Sequence, residues 1–174
     1  LMAISQKMQD QINEQINYEL HSAYIYMSMA AAMTAQNLIG CAAWLRQQAH
    51  EEMFHAMKFH DYLLDRDGMV KLTTIEGPPT EWESALAVFS HALDHEKKVT
   101  ARLNALLEVA ITEKDHASQN VIRWFIDEQV EEEATFNEVI QKLKLVGNDG
   151  AGLYMIDREM ASRPAPTPPG APAA

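Results

Sequence analysis

The sequence predicts an all-α fold: a four-helix bundle with one long crossover and a short C-terminal fifth helix. Three observations lead there. Apolar residues recur at helical spacing through four long stretches, glycine is scarce at 7 of 174 residues, and one proline-bearing extended stretch divides the four into two pairs.

The first stretch opens at Ser5, a good N-cap, and runs to about Gln36, where Asn37 and Gly40 break it. A second runs from near Cys41 to Asp67-Gly68, and the glycine can close a helix there. From Met69 to Pro79 no helical period survives, and Gly77-Pro78-Pro79 marks an extended connection. Thr80 with Glu83 three residues on forms a capping box that opens a third helix lasting to about Thr112. Asp115 caps a fourth, which ends before Gly147-Asn148-Asp149-Gly150, and a short fifth covers Ala151 to Met160. Residues 1–160 are therefore expected to form one helical domain, and the Pro/Ala-rich segment 161–174 a disordered tail.

The first and third connections are short enough for antiparallel hairpins. The middle one, about eleven residues at roughly 3.3 Å each, can travel the length of a bundle and set the second and third helices parallel. A formal charge of −11 argues against a nucleic-acid partner, which requires a basic face. The apolar run from Ala23 to Ala35 is short and interrupted by Tyr, Ser and Thr, so no membrane span is expected. Cys41 is the only cysteine, which excludes an intrachain disulfide and a thiolate zinc site. With no basic-then-apolar leader at the N-terminus, the reading places the chain in the cytoplasm.

Each long helix carries a 3-4 spaced seam that is apolar except near its middle. Glu19 lies between Ile16 and Ala23 in the first, and Glu52 between Ala49 and Ala56 in the second, with His55 one turn away. Glu96 interrupts the third between Ala92 and Val99, and Gln129 and Glu132 interrupt the fourth between Phe125 and Phe136. The interruptions repeat at one offset, since 96 − 19, 129 − 52 and 132 − 55 all equal 77. A lone buried carboxylate costs several kcal/mol, about the size of a whole stabilising contact, and no seam supplies a Lys or Arg. Two divalent cations would balance about four carboxylates, and the i, i+3 spacing of Glu52 and His55 puts both on one helix face. Carboxylates with one imidazole suit iron or manganese. In this set Glu52 is the natural bridge, and Gln129 makes the second half the weaker one.

Taken together, Tyr18-Glu19-Leu20, Tyr24 to Tyr26, Glu51-Glu52-Met53-Phe54-His55, Glu96 and Glu128-Gln129-Val130-Glu131-Glu132 make the sequence resemble a bacterial non-haem ferritin over Ala3 to Met160. The resemblance implies a ferritin-like bundle assembled into a homo-oligomeric cage of 24 subunits. Such a cage oxidises iron(II) with oxygen or peroxide and stores a ferric mineral. It further implies that Glu19, Glu52 and His55 form a first iron site. Glu52, Glu96 and Glu132 would form a second beside Gln129, and Glu51, Glu128, Glu131 and Glu132 a looser third. Tyr26 matches the tyrosine that hands over an electron. Met53 occupies the place where haem-carrying relatives have an axial methionine, but Gln129-x-x-Glu132 in place of a second Glu-x-x-His disfavours haem. A haem-containing bacterioferritin and a di-iron oxidase without storage are the competing readings. His50, His60, His91, His95 and His116 are expected to be surface or satisfied histidines, and Trp44, Trp82 and Trp124 packing anchors.

Overall fold

Ser5 accepts a hydrogen bond from the Met8 amide at 3.1 Å and opens α1 (Gln6–Ala35). In this computed structural model, which describes residues 3–164, four further helices follow: α2 (Ile39–Asp65), α3 (Ala85–Thr112), α4 (His116–Val146) and α5 (Gly150–Met160). Most of the expected disordered tail, residues 165–174, lies outside the described residues. No described helix is long and apolar enough to cross a membrane.

The caps explain where the helices start and where the sequence reading slips. Asn37, at φ 62°, makes the left-handed turn after α1, but Gly40 breaks nothing. It lies buried in the first turn of α2, where α5 crosses so closely that a Cβ would stand 1.6 Å from the Asp157 carbonyl oxygen. At the far end of α2 the left-handed residue is Asp67, φ 55°, while the Gly68 amide reaches back to the Leu63 carbonyl at 2.9 Å. The third helix starts later than Thr80-x-x-Glu83 implies. Ser84 caps it by accepting from the Ala87 amide at 3.2 Å, and residues 80–84 prolong the connection instead. Asp115 and Asp149 cap α4 and α5 as side-chain acceptors.

Helix directions follow from the pairs that meet. Ile4 at the start of α1 bonds to the Arg66 carbonyl just beyond α2, as an antiparallel hairpin requires. Along α1 and α3, Gln15 meets Arg102 while Ser22 meets His95, so these two are also antiparallel. Helices α2 and α3 therefore run parallel, the arrangement expected of the crossover. The crossover is held through its backbone. Side chains of α1 at Gln9, Asn13, Asn17 and Ser28, and of Gln36 just past its end, bond to main-chain groups of Met69, Lys71, Thr74, Pro79 and Trp82, so the connection is tied to the flank of α1.

The apolar core forms two clusters. One, around Met8, Ile12, Phe59, Leu103 and Phe125, is anchored by Phe59 and Phe125 stacked at 3.9 Å. The other, around Tyr26, Met33, Trp44, Phe89 and Phe136, includes the inner face of α5 through Ile156 and Met160. Between the two lies a buried polar belt. Adding a methyl at Gly40 forces α5 off the bundle. Gly40→Ala is expected to cost about 1–3 kcal/mol, read as a lowered thermal midpoint, with the Cys41 amide losing its 2.8 Å bond to Asp157.

Candidate metal centre

Four helices each send one or two polar side chains into the belt, and almost none is exposed. Glu19, Glu52 and Glu96 are at most 2% exposed, and His55, Gln129 and Glu132 are also buried. The seam positions decide this, because the seam residues one turn to either side of them are themselves buried and apolar. The ligand atoms of Glu19, Glu52 and His55 lie within 4.8 Å of one another. His55 Nδ1 is 3.6 Å from Glu52 Oε2, and the ring is wedged edge-on against Trp124 and Phe125. Glu19 keeps one carboxylate oxygen, Oε2, buried with no hydrogen-bond partner.

Across the belt, the Tyr26 hydroxyl donates to Glu96, and Gln129 Nε2 donates to the other Glu96 oxygen at 2.8 Å. Glu132 Oε2 accepts from Gln48 Nε2 at 2.8 Å. Glutamines off the seam thus complete the set. Gln15 Nε2 donates to Glu19 at 2.9 Å while its carbonyl accepts from Arg102. Gln48 does the same for Glu132, with its carbonyl accepting from Arg163 at 2.9 Å. In each case an arginine outside the belt fixes which end of the amide faces the carboxylate. Gln15, Gln48, Arg102 and Arg163 escape sequence reading, because glutamine is an ordinary helix former and the arginines act across 87 and 115 residues of chain.

The remaining expected site residues are less buried. Glu51 pairs with Arg163, Glu128 is half-buried, and Glu131 is exposed. Of the histidines set aside above, His95 is the one wholly inside. It meets the Ser22 hydroxyl at 2.7 Å and stacks on Tyr18, and burial drives its pKa down to about 4, so it stays neutral. Met53 lies exposed on the outer side of α2.

A model of the ferritin-like domain matches residues 9–146. The chain belongs to the ferritin family. A bacterial non-haem ferritin of Bacteroides fragilis is 40% identical over 160 residues, covering 92% of this chain and 99% of that one. One of Escherichia coli is 38% identical over 156 residues, or 90% and 94% of the two chains. Among solved structures, an open pore ferritin from the archaeon Archaeoglobus fulgidus superposes with a TM-score of 0.92 at 45% identity, covering 93% of this chain and all 100% of that one. A humanized archaeal ferritin reaches a TM-score of 0.93 at 43% identity, covering 95% and 100%.

The electrostatics are those of a site that wants cations. Burial, then the neighbouring Glu52 carboxylate, pushes Glu19 up to about 8. Burial followed by Glu96 and Glu51 raises Glu132 to about 8 as well. Burial also raises Glu96, to about 7, against the opposing bonds from Gln129 and Tyr26. Glu52, facing both Glu96 and Glu132, is raised well above the ordinary carboxylate range. Without metal these carboxyls hold protons near neutrality. The Glu19, Glu52 and His55 group, with its unpartnered Glu19 oxygen, is one that could hold a cation.

Two outcomes follow from these shifts. The folded pKa values lie above the unfolded value of 4.5, so the stability these carboxyls contribute to the metal-free protein is fully present below that pH. That contribution should be lost as pH rises from there through about 7 to 8, visible in thermal melts. Glu52→Gln removes the most crowded charge, and should raise the metal-free melting temperature at pH 8 while abolishing tight metal binding in a calorimetric titration.

Proposed function

We propose that this ferritin oxidises iron(II) at the buried centre and stores the product as a ferric mineral inside a cage of 24 copies of the chain. The observation that carries the reading is the Glu19, Glu52 and His55 group, packed within 4.8 Å in an apolar bundle with one carboxylate oxygen unpartnered. Such a group is costly to keep empty and gains most from a cation.

In this reading iron(II) is the substrate. One ion binds Glu19, Glu52 and His55, and the other Glu52, Glu96 and Glu132, with Glu52 shared and Gln129 alongside. The pair supplies two electrons together to oxygen or peroxide, and the anionic carboxylates favour the iron(III) that forms. Protons leave the ligands as ions bind, so the centre becomes ionised only when loaded. Gln129 brings an amide where a second histidine-bearing motif would bring a charge, which leaves the second site the weaker and suits release. Glu51, Glu128, Glu131 and Glu132 then receive the ion at a looser third site on the way to the cavity.

Tyr26 is fully buried, hydrogen-bonds Glu96 and stacks on Phe136, and burial followed by the Glu96 charge holds its phenol protonated. It stands ready to supply one further electron with its proton. The bundle around the centre is filled by Tyr26, Phe59, Phe125 and Phe136, which favours ions over an organic substrate. The free, buried Cys41 thiol suits the reducing cytoplasm.

Aerobic addition of iron(II), followed by ferric absorbance and particle size, tests this. Many irons per chain retained in a large soluble particle supports storage. Uptake of only about two per chain would make it a di-iron oxidase, and no uptake would remove the reading. Tyr26→Phe is expected to keep the binding stoichiometry and slow oxidation severalfold in stopped-flow traces. Alanine at Glu51, Glu128 and Glu131 together should slow mineral loading but leave the first two ions' oxidation intact.

A further inference from the structure

Glu51 already has a cationic partner from a segment the sequence reading set aside. Just beyond α5, Arg163 directs Nη2 to the Glu51 carboxylate and Nη1 to Gln48 Oε1 at 2.9 Å. Nη1 also reaches the Trp44 carbonyl at 3.5 Å, and the guanidinium lies over the Trp44 ring, 4.2 Å from its centroid. An isolated surface ion pair is worth little. A guanidinium gripped at once by a carboxylate, an amide, a carbonyl and an indole face is a built seat, and it matches the planar fork of arginine better than a lysine ammonium. The pair is also part-shielded, at 19% and 26% side-chain exposure.

That seat abuts the metal centre. Gln48 is completely buried and bonds Arg163 with one end and Glu132 with the other. Glu51 is near enough to both Glu128 and Glu132 to raise their proton affinity. The guanidinium therefore grips one of the carboxylates assigned above to the third ion, Glu51, and reaches a second, Glu132, through Gln48.

We propose that Arg163 is a built-in counter-cation for this outer cluster: it competes with an incoming divalent ion for Glu51, and so sets how loosely the third site holds its ion. The proposal rests on the metal-centre reading given above. A divalent ion that takes the Glu51 carboxylate must displace the guanidinium, and the free energy of that displacement is subtracted from the ion's affinity. Among the described residues the inner group of Glu19, Glu52 and His55 has no direct arginine contact, so it keeps its full affinity. The outer site is held weaker than its own carboxylates would make it, as a hand-over site requires.

Calorimetric titration of the assembled, metal-free protein with zinc(II), a redox-inert probe, tests the competition. Wild type is expected to show a tight inner class and a weak outer class. Arg163→Gln should tighten the weak class about three- to fivefold, the scale of a part-exposed ion pair, and leave the tight class unchanged. Arg163→Lys should fall between, and adding Glu51→Gln to Arg163→Gln should erase the gain. If Arg163 only fastens the chain end, Arg163→Gln lowers the melting temperature and leaves the weak class unchanged or weaker; that result overturns the proposal. Absence of a tight class in the wild type removes the metal-centre reading, and this proposal with it.

Discussion

Four carboxylates buried across the middle of a helical bundle, with no lysine or arginine among them, are the constraint to which the rest of this structure answers. Glu19, Glu52, Glu96 and Glu132 come one from each long helix, and all are 8% exposed or less. Water cannot solvate them, and three of the four are supported by something short of a charge. Gln15 supports Glu19, Gln48 supports Glu132, and Tyr26 and Gln129 share Glu96. Hydrogen bonds of this kind offset part of the cost without quenching the site's appetite for cations. The aromatic clusters above and below hold the helices in register while the belt remains uncompensated, so the apolar ends keep the geometry that the polar middle by itself would disrupt.

Much of this was legible in the chain, and for a physical reason. A seam that buries one face of a helix makes any polar residue on it conspicuous, and the four interruptions are all seam positions. Their meeting at one height follows from helix length and the parallel setting imposed by the crossover. The arginine–glutamine supports are not legible. Gln15 and Gln48 look like ordinary helical residues, and their meaning depends on Arg102 and Arg163 arriving from distant helices. Helix starts show the same division between local and remote causes. Ser5 and Asp115 cap as their local sequence implies, whereas Thr80-x-x-Glu83 loses to Ser84, with Gln36 just past α1 still holding the backbone at Trp82. Gly40 likewise reads as a breaker until α5 is placed against it.

The two halves of the bundle place side chains alike yet differ in chemistry. Glu52 and His55 on α2 correspond to Gln129 and Glu132 on α4, with one carboxylate exchanged for an amide and one imidazole for a carboxylate. The difference extends outward. On one side Arg102 reaches the centre only through Gln15, while on the other Arg163 touches both Gln48 and Glu51. The belt is thus supported unequally on its two sides.

The crossover shows how lightly such an arrangement can constrain sequence. Its backbone is held by amide and hydroxyl side chains of α1 and its C-cap, from Gln9 to Gln36, while its own side chains from Lys71 to Thr74 stay largely exposed. Instructions for the path of the connection are therefore carried on a helix that must exist anyway, and the connection is spared from specifying itself. Its outward residues are left open to change without disturbing the buried interior.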